Sequence, residues 1–484
     1  MPISGTRLST EQLAAGGQIS LVDGSMLTIG EVLRVLPGRR VVCFAEWCGQ
    51  SVLAKIFLGK KAAYYAQRDA VGVQLLMQAE IATPALLTVI QSYNGEAEVL
   101  LFAAILNSSN AEIAWSGLDN SSQLQLAKAL VHMVARHHNA GLMQTDLYLK
   151  NFLLHEGELY TLDGDGIRKL PSTGVTSACW RNLALLLSKF DICDEPRWLP
   201  ELLGVYADAR GCKPISLQEL TALVTGHRHR VVDGYADHKV FRNCTDVAVT
   251  RTWLHYIARV RDALTAWPDM TVLDELLDSP SRARLKSGNT CTVGLVAIEG
   301  RKIVVKRYNI KSWLHGLSRL WRRSRAALSW ANAHRLRMHG IATAAPVALV
   351  ERRFGPLRLT AYFLAEYVDA PDIGAWMADK AVSQDEKREV ADRLAKLMYK
   401  LRLLQIAHGD MKATNIHVTA GVPVLIDLDS MRHYRCGTWF ERRHKRDLQR
   451  LLRNWADRPH IQRLMVEALR QVYGKDPILK KAGI

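Results

Sequence analysis

Three polar residues in the C-terminal half of this 484-residue chain stand at linked intervals. Asp410 is followed five residues later by Asn415, and the apolar run Val422 to Ile426 delivers Asp427 seventeen residues after Asp410. Lys412 lies between the first two. These residue types suit phosphoryl transfer: one carboxylate orients an attacking hydroxyl, and an amide and a second carboxylate hold Mg²⁺ against nucleotide phosphates. A lysine beside the first carboxylate neutralises the transferring group. Asp410 and Lys412 are therefore the candidate catalytic residues, and Asn415 and Asp427 the candidate metal ligands.

The same two intervals occur earlier, at Asp146, Asn151 and Asp163, 264 residues upstream. That separation is far too long for a solenoid repeat, so two whole domains in tandem are expected. Asp146 becomes a second candidate catalytic residue, and Asn151 and Asp163 a second candidate metal pair.

Such residues need elements to position them. Lys55 emerges from the apolar strand Ser51 to Phe57, where a lysine can meet nucleotide phosphates, and Asp69 on the helix Ala62 to Ala79 is its candidate partner. In the second half, alternating apolar residues over 284–309 predict a hairpin ending at Lys306. The turn Ser287-Gly288-Asn289-Thr290 precedes it, and its backbone N–H groups can approach phosphates. Both halves then reach an Ile-Ala-Thr sequence, Ile81 after Lys55 and Ile341 after Lys306, but the second takes about nine residues more. Within that stretch Trp313, Leu317, Leu320 and Trp321 share one helical face among arginines, the composition of an interfacial membrane segment. No acidic residue follows Lys306 before Glu351. Another group must hold this lysine, or it is unpaired.

The loop His408-Gly409-Asp410-Met411-Lys412-Ala413-Thr414-Asn415, with Ile426-Asp427-Leu428-Asp429, resembles the protein-kinase-like superfamily. Within it, this form is similar to the bacterial lipopolysaccharide-core kinases, which phosphorylate Kdo or heptose sugars. The resemblance covers nearly all of residues 270 to 450 and, more loosely, 40 to 190. It implies an α+β fold of two tandem protein-kinase-like domains, each a small β-rich N-lobe and a mainly helical C-lobe. It also implies ATP and Mg²⁺. Lys306, Gly288, Asn289, Thr290 and Lys55 would bind nucleotide, and Glu366 would lie in the hinge strand that meets adenine. The first copy departs from the pattern: Gln144 replaces the loop histidine, and its lysine, Lys150, is not two residues after Asp146. It reads as divergent. The expected boundaries are a leader at 1–27, a first domain at 28–226, a linker with an amphipathic helix at 227–268 and a second domain at 269–484.

Composition limits the remaining classes. The net charge of +17 is uneven: residues 1–300 sum to −2 and residues 301–484 to +19. A field of that kind favours anionic partners, here a lipopolysaccharide-core glycolipid and an anionic membrane surface. Nucleic acid is not expected, because aromatic residues do not form stacking platforms among the basic ones. The eight cysteines are scattered, with no zinc or disulfide pattern. His227 and His229 lack ligand-spaced partners. The N-terminus does not read as a signal peptide, and the longest apolar run, Val99 to Leu106, is too short to span a membrane. The expected location is the cytoplasm, with peripheral contact at the inner membrane. The rival readings are a tandem pseudokinase adaptor and a kinase acting on protein side chains.

Overall fold

The computed structural model describes residues 8–264, 273–275, 277, 284–288, 291–308 and 323–484. The chain divides into two compact units, Met1–Phe190 with Asp194–Arg228, and Asp191–Cys193 with His229–Ile484. The segment around Trp313 to Trp321, expected as an interfacial helix, lies outside the described residues.

The first unit opens with α1 (Thr10–Ala14), capped by Ser9 and Gln12 in a reciprocal box. An antiparallel six-stranded sheet follows. Its strands are β1 (Gly17–Ser20), β2 (Met26–Leu36), β3 (Arg40–Trp47), β4 (Gln50–Leu58), β5 (Leu86–Gln91) and β6 (Ala97–Ala103), in the order β1-β2-β3-β4-β6-β5. Residues 8–27 are thus not an irregular leader. Leu8, Leu13, Ile19 and Leu21, sparse in a polar stretch, are all buried and complete the sheet's core. Alternation fixes the faces of β3 and β4: Val41, Cys43, Val52, Ala54 and Ile56 point into that core, so Lys55 leaves from the other side. There it meets α2 (Ala62–Gln78), which connects β4 to β5.

The rest of this unit is mainly helical. Its elements are β7 (Ser109–Asn110), α3 (Ala111–Gly117), α4 (Asn120–Asn139), β8 (Leu142–Gln144), β9 (Phe152–His155), β10 (Glu158–Thr161), β11 (Ile167–Lys169), α5 (Val175–Leu187), α6 (Glu195–Arg210) and α7 (Leu217–Asp233). Leu130, Val134, Leu183, Leu187 and Leu202 pack α4, α5 and α6 together. On that core sit β8 and the short β9-β10 hairpin, whose ends carry Asp146, Asn151 and Asp163.

The second unit begins inside α7, at His229, and stays helical through Phe241. The segment expected to end in an amphipathic helix instead forms the hairpin β12 (Val247–Arg251) and β13 (His255–Val260). Its apolar residues fit a period of two as well as one of 3.6, and pairing decides between them. β13 lies against β17 (Pro346–Phe354), with Ala258 opposite Leu349, and Tyr256 and Ala258 become buried. The sheet also includes β14 (Arg284–Gly288), β15 (Cys291–Ile298), β16 (Arg301–Tyr308) and β18 (Leu357–Glu366), in the order β12-β13-β17-β18-β16-β15-β14. Helix α8 (Arg325–Met338) connects β16 to β17. The strand orders β3-β4-β6-β5 and β15-β16-β18-β17 are the same arrangement, and each has its helix after the lysine-bearing strand.

Then follow α9 (Ile373–Ala378), α10 (Gln384–Leu403), β19 (Ile406–Ala407), β20 (Ile416–Thr419), β21 (Val422–Leu425), β22 (Arg432–His433), α11 (Gly437–Arg453), α12 (Pro459–Tyr473) and α13 (Pro477–Ala482). Leu394, Met398, Leu401, Ile416, Leu448 and Trp455 form their shared core. Among the described residues, no helix is long and apolar enough to cross a membrane.

Candidate active site

In the second unit β19 runs into His408, Gly409 and Asp410, while the β20-β21 hairpin ends at Asp427. His408 is fully buried and its Nε2 donates to Ile426 O at 3.0 Å, tying the two loops together. Gly409 has φ +82°, and a Cβ there would lie 3.0 Å from Ser430 O, so a side chain would be both strained and crowded. Its N–H donates to both carboxylate oxygens of Asp447, each at 3.1 Å. Burial raises the pKa of Asp447, and the Gly409 N–H works against that rise.

Asp410 is gripped from three sides. Arg450 reaches its Oδ1 at 2.7 Å, Lys412 its Oδ2 at 3.1 Å, and Asn415 Nδ2 its Oδ2 at 3.2 Å. The same Nδ2 donates to Asp410 O at 2.8 Å. Asn415 Oδ1 accepts no hydrogen bond among the described residues, which leaves an oxygen available to a cation beside the carboxylates. Asp427 sits in the left-handed region, φ 59° and ψ 60°. Aspartate is among the non-glycine residues that adopt this region most readily, and here the conformation turns the chain from β21 into the loop of Asp429.

Lys306 is paired after all, by carboxylates from the loop. Its Nζ donates to Asp427 and, at 3.1 Å, to Asp429 Oδ2. Asp429 also takes Arg325 at 2.7 Å and Tyr308 OH at 3.2 Å. Burial alone would lower the Lys306 pKa, but Tyr308, Asp427 and Asp429 outweigh it and the pKa is raised. Burial likewise opposes the charge on Asp429, yet Lys306 and Arg325 hold its pKa low. Both groups stay ionised. Twelve residues before the Ile-Ala-Thr sequence the first half has Asp69 and the second has Ser329. Ser329 Oγ lies 3.1 Å from Tyr308 OH. Where a helix acid would stand, the second unit has a hydroxyl that braces a tyrosine.

Glu366 ends β18, and its N–H donates to Ala345 O at 2.9 Å while its carboxylate pairs with Arg301. The Tyr367 N–H is committed to Lys302 O at 2.9 Å. Gly288 ends β14 opposite Cys291. Asn289 and Thr290 lie outside the described residues.

The first unit builds a related site with different partners. Asn151 Nδ2 donates to Asp146 O at 2.8 Å, and Asp163 is also left-handed, φ 64° and ψ 79°. Gln144, buried, donates from Nε2 to Leu162 O at 3.3 Å, the bond that His408 makes to Ile426 O. The substituted loop residue therefore still ties its two loops together. Lys55 pairs with Asp69 at 2.7 Å and stands 3.6 Å from Asp163. Arg40 adds a second cation, 3.9 Å from Asp69 and 3.8 Å from Asp163. Burial pushes the Asp163 pKa up, but Lys55 and Arg40 prevail and it is lowered. Lys150 is turned to the Tyr148 ring, 5.3 Å away. The Asp146 carboxylate has no hydrogen bond or ion pair among the described residues. Arg40 lines a cavity of about 180 Å³ together with Val42, Leu53, Lys55, Asn151 and Asp163.

Several of these residues are silent in sequence. Asp447 and Arg450 lie in the basic run of α11 and act only because the fold returns that helix to Gly409 and Asp410. Arg40, Arg325 and Tyr308 likewise owe their roles to tertiary placement. Asp429 was legible as part of Asp-Leu-Asp, but its hold on Lys306 was not. Among the described residues no group of three or more His, Cys, Asp or Glu is arranged to hold a metal ion. His229 packs edge-on against His433, with ring centroids 4.5 Å apart.

Comparison with known proteins decides the class of this unit. Residues 274–473 match the model of the lipopolysaccharide kinase (Kdo/WaaP) family. This region belongs to that family. The chain is accordingly a kinase, with the kinase-like fold in its C-terminal part, and the family implies phosphorylation of a sugar of the lipopolysaccharide core. No curated protein matches. Among solved structures, the chain is similar to one described as WaaP in complex with acyl carrier protein, at 18% identity, 43% coverage of this chain, 83% of that chain and a TM-score of 0.34.

Proposed function

We propose that the second unit transfers the γ-phosphoryl group of ATP to a sugar hydroxyl of the lipopolysaccharide core, at the cytoplasmic face of the inner membrane. The observation that carries this reading is the convergence of Lys306, Asp410, Asn415 and Asp427 on one site. Asp410 orients the sugar hydroxyl and takes its proton; Arg450 fixes the carboxylate, and Lys412 meets the charge that develops on the transferring group. Asp429 holds Lys306 independently of Asp427, which leaves Asp427 available as a ligand. Asn415 Oδ1 and Asp427 would hold Mg²⁺. The ion, when bound, neutralises phosphate oxygens. Lys306 clamps the nucleotide phosphates. For adenine, the N–H groups of Glu366 and Tyr367 are already used, so among the described residues the Glu366 carbonyl at the end of β18 and the Val368 N–H just beyond it are the groups available.

The excess of cations in residues 301–484 supports recruitment of an acidic glycolipid at an anionic surface. On α11, Arg442 lies over the exposed ring of Trp439, 5.6 Å from its centroid, a combination suited to a headgroup layer.

The first unit we read as a divergent kinase-like domain, on the strength of its matching strand order, its Asp146-Asn151-Asp163 set and its left-handed Asp163. Its own role is regulatory or docking. Arg40 favours this over catalysis, because it brings a fixed positive charge to the carboxylate that a catalytic metal would need. The test of the transfer reaction is labelled γ-phosphate from ATP, offered core oligosaccharide or peptide acceptors with and without Mg²⁺. Label on the sugar, dependent on Mg²⁺, is expected; label on peptide alone, or on neither, overturns the reading.

A further inference from the structure

The second unit has a cleft of about 530 Å³ that shares no lining residue with the candidate active site. Its walls are the turn after α7, the β12-β13 hairpin, β17, β18 and the first turn of α8. Small-molecule sites commonly have volumes of about 300–1,000 Å³, so the cleft can accommodate a ligand of sugar or headgroup size.

Charge defines what would fit. Five guanidiniums line it, from Arg242, Arg251, Arg323, Arg353 and Arg358, against two carboxylates, Asp237 and Glu351. Both carboxylates are already engaged. Asp237 takes Arg323 at 2.6 Å and also Arg335. Glu351, almost fully buried, accepts from Ser324 Oγ at 2.6 Å and from Arg353 Nε at 3.0 Å, with Arg358 at 3.7 Å. Arg242 and Arg251 have no ion-pair partner among the described residues. Two other guanidiniums are aimed by aromatic rings: Arg323 lies over Phe241 at 4.7 Å and Arg353 over Tyr256 at 4.5 Å. The start of α8, capped by Ser324 and represented in the wall by Ala327, adds its positive helix end.

A concave surface with surplus, partly pre-aimed arginines is complementary to an anion that offers several oxygens. We propose that this cleft binds a phosphate-bearing ligand, a phosphomonoester or diphosphate group carried on a sugar or a lipid headgroup, with Arg242 and Arg251 supplying its unshared charge. Arg323 is committed to Asp237, from Nη1 to Oδ1 at 2.6 Å and from Nη2 to the backbone carbonyl, so it shapes the wall while Arg242 and Arg251 carry the unshared charge.

Pyrophosphate is the probe for the phosphate chemistry, measured by calorimetry on the full chain at low salt. Arg242→Gln/Arg251→Gln is expected to weaken binding about tenfold or more while leaving the melting temperature unchanged, since both side chains are exposed. Lys306→Met, at the other site, leaves that binding event in place. Vesicle sedimentation separates the sources of the phosphate. Retention on phosphatidic acid but not phosphatidylcholine, lost in the double arginine variant, assigns a headgroup, and pyrophosphate binding without vesicle retention assigns a soluble phosphate ester. Equal pyrophosphate affinity in wild type and the double arginine variant, loss only with Lys306→Met, or no binding to either probe overturns the proposal.

Discussion

Lys55 and Lys306 occupy the same place in two sheets of the same strand order, yet they lean on carboxylates from different elements. Lys55 is held by the helix, through Asp69, which is wholly buried. Lys306 is held by the loop, through Asp427 and Asp429, and its helix contributes Ser329 and Arg325 instead. The loops are anchored differently as well. In the first unit Gly72 and Gly164 let helix and loop backbones touch; a Cβ on Gly72 would lie 1.9 Å from Gly164 O. In the second, Asn332 stands at the corresponding helix position and donates to Leu428 O at 2.9 Å and Met431 O at 3.0 Å. The second Asp of each loop still meets a helix arginine, Arg68 with Asp165 and Arg325 with Asp429. A structural role is thus kept while its carrier changes: the lysine needs a nearby carboxylate, and the helix need not supply it.

This contrast sets the expected outcomes. The largest is functional: Lys306→Met should lower phosphoryl transfer by about 10²–10³-fold, the loss typical of one electrostatic stabiliser, while the melting temperature moves little because Arg325 still neutralises Asp429. Lys55→Met should act on folding, since it leaves Asp69 buried without its closest partner. A destabilisation of about 3 kcal/mol is expected in denaturant melts of the first unit, and a variant as stable as wild type would show that Arg40 can serve alone. Gly72→Ala forces helix and loop apart and should cost about 2 kcal/mol. Asn332→Ala takes one of two donors from each carbonyl, which keep the Met431 N–H and Arg432, and removes the acceptor of Arg335, for about 1 kcal/mol in the second unit. Equal tolerance of both substitutions would remove the distinction between the two anchors.

The smallest effect is one the units share. Burial depresses His138 to about 4 in the first unit and His334 to about 4 in the second. Folded histidines that stay neutral bind fewer protons than unfolded ones, so their contribution is present above the unfolded value of 6.5 and fades as pH falls toward 4. Each should cost on the order of 1 kcal/mol by about pH 5.5. Melting curves between neutral and mildly acidic pH check this, and a stability that rises on acidification would contradict it.

How far the sequence reached follows from the kind of signal each feature leaves. Asp410, Asn415 and Asp427 are legible because a loop–hairpin–loop fixes their spacing, and the structure brings them together with Lys306. Strand alternation around Lys55 gives the hairpin, and the Ile-Ala-Thr sequence aligns the two helices. The partner of Lys306 was not legible, because it lies 121 and 123 residues away and depends on how the loop packs. Gln144 looked like a lost function, yet an amide donates to a carbonyl as an imidazole does. The β12-β13 hairpin was misread as helical because short apolar stretches fit both periods until a partner strand chooses.

Paired substitution at the two loop aspartates, Asp146 and Asp410, separates transfer by the second unit from transfer by the first. Transfer of labelled phosphate to core oligosaccharide should be lost with Asp410→Asn and retained with Asp146→Asn. Loss with Asp146→Asn while Asp410→Asn keeps full activity would contradict the account.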